Sequence, residues 1–102
     1  MISEEAQKTL EEMHLELKRL ADEEIAAFEL KNRYDREWSA LGDAEFLNGG
    51  SSEDARMRVR ATPRGKELDA LLTVAYMAEM RTRYNYDLAA YGFRIQLLLV
   101  GE

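Results

Sequence analysis

No cysteine occurs among the 102 residues, which excludes a disulfide framework and a thiolate metal site and leaves the redox compartment open. Proline appears once, at Pro63, and no glycine or proline falls between Ser3 and Leu41. Nothing there breaks a long helix. No apolar run approaches the roughly 18 residues of a membrane span. The opening segment is made acidic by Glu4 and Glu5, where a secretory signal is basic. The expectation is a protein neither inserted in a membrane nor exported by that route, with the cytoplasm as its default location. Histidine also appears once, as His14, and Gly49 and Gly50 lack the lysine and spacing of a phosphate loop.

What the chain has in quantity is charge and helical periodicity. Twenty acidic and 14 basic side chains give a net charge of -6, which argues against wholesale binding to nucleic acid, where attraction to phosphate dominates. The two signs are segregated: residues 1–54 carry 15 acidic and 6 basic residues, and residues 55–102 carry 5 acidic and 8 basic. The halves attract each other. Arg56, Arg58, Arg60, Arg64 and Lys66 form the one basic patch.

Apolar residues at Ala6, Leu10, Met13, Leu17, Leu20, Ala21, Ala27, Phe28, Tyr34, Trp38 and Leu41 recur mostly in steps of three and four, the signature of one helical stripe. Ser3 serves as N-cap, with Glu4 and Glu5 suiting the helix dipole. This predicts a helix over 3–47, in which Gly42 is either a weak point or an end. Asn48, Gly49 and Gly50 break the chain. Ser51, three residues before Asp54, caps a short helix over 52–60, and Thr62 with Pro63 opens a third over 63–99. Taken as about 40 residues to the weak point near Gly42 and about 37 for the last helix, the long helices measure about 60 and 55 Å at 1.5 Å per residue, and such matched lengths favour an antiparallel hairpin with the short helix at its tip. The fold class is therefore all-α, a single domain over 1–102. Its last helix would face the first through Leu68, Leu71, Leu72, Ala75, Ala78, Thr82, Tyr86, Ala89, Phe93, Leu97 and Val100, placing small residues against the rings of the first.

A second apolar stripe runs along nearly the opposite side of that helix: Met77, Met80, Tyr84, Leu88, Tyr91, Ile95 and Leu98. A two-helix hairpin buries one side of each helix, so this face needs another cover. Either the first helix bends at Gly42 or the short helix folds back over it, or another chain covers it. That chain is either a second copy, whose dimerisation completes a bundle of coiled-coil type, or a heterologous protein partner. Tyrosine and methionine suit adaptable protein contacts.

Catalytic chemistry finds little support. Glu11 and His14 are too few for a specific metal site, and adjacent acid pairs such as Glu11 with Glu12 diverge by about 100° on a helix. No cofactor is implied, and the expectation is a protein that is not an enzyme. The basic patch at the tip has two readings, a grip on phosphates or pairing with Asp43, Glu45, Glu53 and Asp54 at the same end.

The run ending in Trp38, Leu41 and Phe46, the Asn-Gly-Gly break at 48–50, the segment 51–60 and the long helix rich in alanine and tyrosine resemble small helical-hairpin proteins of phages and prophages. That resemblance implies an accessory or inhibitory protein acting by binding another protein. The leading expectation is thus a homodimeric interaction module using the second stripe. One alternative is an acidic DNA-mimic inhibitor of a nucleic-acid enzyme, of anti-CRISPR or anti-restriction type, presenting Glu12, Glu16 and Glu23. Another is a nucleic-acid binder working through the basic tip.

Overall fold

The computed structural model describes residues 2–101. Three helices account for nearly all of them: α1 over Glu4–Phe46, α2 over Ser52–Ala61 and α3 over Pro63–Gly101. The chain gathers into two compact units, one of residues 2–26 with 79–101, the other of residues 27–78. Each sets a stretch of α1 beside a stretch of α3 in a hairpin-like way.

In the second unit the end of α1, all of α2 and the start of α3 come together. Gly42 does not end α1, and a side chain there would meet open space. The break falls at Gly49 and Gly50, whose φ values of 100° and 86° lie where other residues are strained. Next comes a capping box. The Asp54 backbone N–H donates to Ser51 Oγ (3.1 Å), and the Ser51 N–H donates to Asp54 Oδ2 (3.0 Å), satisfying two amides that a helix start leaves open.

Thr62 joins α2 to α3 through a single hydroxyl. Its Oγ1 donates to the Val59 carbonyl (2.6 Å) and accepts from the Gly65 N–H (3.0 Å), so it closes one helix and opens the next. Gly65 is itself buried against that junction. Ala55, Val59, Leu68 and Ala75 are the buried apolar residues of this unit, and Leu68 has no exposed surface at all.

In the first unit α1 and α3 run antiparallel. The His14 ring lies 6.3 Å from that of Phe93, and ten residues further along α1 Glu24 meets Arg83, ten residues back along α3. The burial pattern sharpens the stripes expected from sequence. On α1 the residues turned inward are Leu10, Met13, Leu17, Leu20 and Glu24, then in the second unit Ala27, Lys31, Tyr34, Trp38 and Leu41, a regular alternation of three and four. Phe28, expected in the stripe, is 47% exposed. Glu24 and Lys31 hold seam positions instead. Along α3 the same spacing selects Gly65, Leu68, Leu72 and Ala75 in one unit and Glu79, Thr82, Tyr86, Ala89, Phe93, Gln96 and Val100 in the other. Leu97 is largely exposed.

Charge at the seam is paired. Arg83 Nη2 donates to the buried Glu79 (Oε1, 2.8 Å), and Arg83 Nε lies 3.6 Å from Glu24. A buried ionic contact adds little net stability but disfavours registers that break it.

Three carboxylates are held below their ordinary values: Asp54 by hydrogen bonds from Ser51, Glu37 by Arg64, and Glu16 by Arg19. A depressed carboxylate favours the folded state while it is ionised and loses that contribution as pH falls through its folded-state value. Thermal melts are therefore expected to be flat above the ordinary values of 3.8 and 4.5, with the melting point falling as the buffer becomes more acidic. A melting point that rises on acidification would contradict the assignment of these pairs.

Candidate functional site

The outer face of α3 carries a row of exposed large apolar side chains. Met80, Tyr84, Leu88, Tyr91, Ile95 and Leu98, all in the first unit, range from 41% exposed at Ile95 to 71% at Leu98. Met77, in the second unit, is exposed likewise. None of the seven lies on the seam, because Tyr84 and Tyr91 sit two residues from Thr82 and Ala89, about 200° around the helix. The side chains stand in one line on a helix already packed along its other side. That makes α3 apolar on two faces.

At the edges of this line are charges the sequence reading passed over. Asp87 and Arg94 lie on one edge, two turns apart, and neither forms an ion pair among the described residues. Gly92 lies on the other edge, and a side chain there would meet nothing. Their signal was the seven-residue interval, visible only once the apolar line is fixed.

The basic patch divides. Arg58 donates from Nη2 to the carbonyls of Glu45 (2.8 Å) and Gly49 (2.7 Å), and from Nε to the Glu45 carboxylate (3.1 Å). It thus closes the C-terminal end of α1, where unpaired carbonyls attract cations. Arg64 grips Glu37 with two hydrogen bonds of 2.6 and 2.8 Å and also meets Glu67, which raises its pKa further above an already high value. These two have structural partners, though not mainly the acids expected: Glu45 was among them, and Glu37 was not. Arg56 and Arg60 instead line a groove of about 580 Å³ with Trp38, Asp43 and Phe46. Lys66 is exposed.

The acidic face of α1 is broken up by its own arginine. All three acids are exposed, but Arg19 bridges Glu16 and Glu23, leaving Glu12 as the one of the three without an ion-pair partner among the described residues. His14 stacks at an angle of 42° on Phe93, beside an open shelf formed with Leu10, Glu11 and Leu15. Among the described residues no three His, Asp or Glu side chains converge as a metal site, and no helix is long and apolar enough to cross a membrane.

Comparison of the chain with protein-family models, curated proteins and solved structures finds no match in any of the three.

Proposed function

We propose that this chain is a non-catalytic helical interaction module, an accessory or inhibitory protein that associates with a second copy of itself through the outer face of α3. The observation that carries this reading is the uncovered line from Met80 to Leu98. Water contact with so many large apolar groups in one patch is unfavourable, and a protein surface that retains such a patch is a contact surface more often than not.

Electrostatics supports the same choice among the alternatives. Arg19 dilutes the acidic face of α1, and Arg58 and Arg64 are engaged with Glu45 and Glu37. An acidic mimic of phosphate would need Glu16 and Glu23 free, and a phosphate-gripping tip would have only Arg56, Arg60 and Lys66 of its five cations outside ion pairs among the described residues.

Sedimentation equilibrium tests the reading. The wild-type chain is expected to sediment as a dimer, and Tyr84→Glu combined with Leu88→Glu to weaken association by at least about 100-fold, because each places an unpaired charge in an apolar contact. Helicity by circular dichroism should be retained, since both positions lie away from the seam. A wild-type monomer at all concentrations would sink the reading.

A further inference from the structure

We infer that the second copy lies antiparallel, with a two-fold axis crossing α3 between Leu88 and Tyr91, so that Asp87 of each chain faces the partner's Arg94. This rests on the self-association proposed above and adds its geometry.

The pattern of the exposed face determines the register. Tyr84, Leu88, Tyr91, Ile95 and Leu98 alternate in steps of four and three, the spacing of a second helix-pairing seam. In an antiparallel pair the layers of one helix meet those of the other in reverse order. With the axis between Leu88 and Tyr91, Leu88 lies on the partner's Tyr91 and Tyr84 on the partner's Ile95. The four central layers are then apolar on both sides, and at each end Leu98 meets the partner's Arg81, whose aliphatic stem can cover it while the charge reaches water.

Charge selects this arrangement over its neighbours. Two antiparallel helices place like edges together, so the edge bearing Met80, Asp87 and Arg94 faces the same edge of the second copy. Centred as described, that edge forms two reciprocal ion pairs. Sliding the axis by half a heptad toward the N-terminus sets Asp87 against the partner's Asp87. Sliding it the other way sets Arg94 against the partner's Arg94. A parallel pair places Asp87 opposite the uncharged edge of Asn85 and Gly92, and forms neither ion pair. Both side chains are free to respond, since neither has an ion-pair partner among the described residues.

Two further observations fit. Glycine weakens a helix relative to alanine, and nothing among the described residues approaches Gly92 closely enough to require it. Beside the axis, a missing side chain lets the second helix come near. The area also suffices: a standard interface buries roughly 800 Å² per partner, and six large side chains exposed by 41 to 71% supply an area of that order.

Charge exchange tests the register. By sedimentation equilibrium at low salt, Asp87→Arg alone and Arg94→Asp alone are each expected to raise the dimer Kd by about tenfold or more, as two attractions become repulsions. The chain carrying both changes should return to within about threefold of wild type. Mixing the two single variants should yield a mixed dimer tighter than either alone, because every facing pair is then of opposite sign. A wild-type dimer indifferent to both single changes, or a double variant as weak as the singles, would overturn the register and leave self-association standing. A wild-type monomer would overturn both.

Discussion

Replacing Gly65 with alanine is expected to lower stability by about 3 kcal/mol or more, an effect reserved for backbone clashes and core damage. The added Cβ would lie 1.7 Å from the Val59 carbonyl oxygen, 2.6 Å from its carbon and 2.9 Å from Thr62 Oγ1. None of these atoms can step aside cheaply. The Val59 oxygen already accepts from the Thr62 N–H (3.0 Å) and from Thr62 Oγ1, so moving it undoes the end of α2 and the start of α3 together. For a chain of this size each kcal/mol shifts the melting point by roughly 4 to 8 °C. A circular-dichroism melt should show a drop well above 10 °C. Gly42→Ala is the matched control: its Cβ meets nothing within 4 Å, and alanine should gain about 0.5 to 1 kcal/mol through helix propensity. If the two variants melt alike, the close approach of Gly65 to Val59 is wrong.

Leu68→Ala is the second large effect, expected to cost about 2 to 5 kcal/mol. Among the described residues Leu68 is the one large side chain with no exposed surface. It is buried in the same unit as Ala55, Val59 and Ala75, and any cavity left by the truncation adds to the lost transfer energy. Leu97→Ala removes the same atoms from a side chain 45% exposed and should cost about 1 kcal/mol or less. Urea unfolding followed at 222 nm separates the two by midpoint, with similar slopes expected for both. Equal midpoints would mean that stability does not depend on burial in the way the structure implies.

Much of this architecture was legible from residue types. The three helices begin and end within two residues of their expected bounds, because Ser51 with Asp54 and Thr62 with Pro63 are local signals. Local chemistry fixes helix ends. The seam was read less well. Hydrophobicity alone points to Phe28 and Leu97, which are exposed, whereas the burial pattern adds Glu24, Lys31, Glu79 and Gln96. A strict three-four spacing would have found them; hydrophobicity could not, because a charge is tolerated at a seam when a partner reaches it, as Arg83 reaches Glu79 and Glu24.

The basic patch shows the same limit. Its five members are neighbours in sequence, yet their partners are set by the fold: Arg58 finds Glu45 and Arg64 finds Glu37, 13 and 27 positions back. Nothing in the segment 56–66 distinguishes those two from Arg56 and Arg60. Gly65 carries no local signal in the sequence, because the carbonyl it accommodates belongs to the preceding helix. The exposed line on α3 was legible for the opposite reason. It is a pattern within one helix, and its lack of a cover follows from counting the sides a hairpin can bury.

Arg58 has a consequence for the order of folding. Its bonds to Glu45 and Gly49 span only 13 and 9 residues, and Arg64 to Glu37 spans 27. His14 and Phe93 are far more distant along the chain. The entropy lost in closing a loop grows with its length, so contacts around the Asn48–Gly50 break can form while the chain ends still move freely. Each antiparallel contact made there shortens the loop that the next one outward must close. The two long helices are thus expected to zip from α2 toward the termini, and the face of α3 between Tyr84 and Leu98 takes its final shape last.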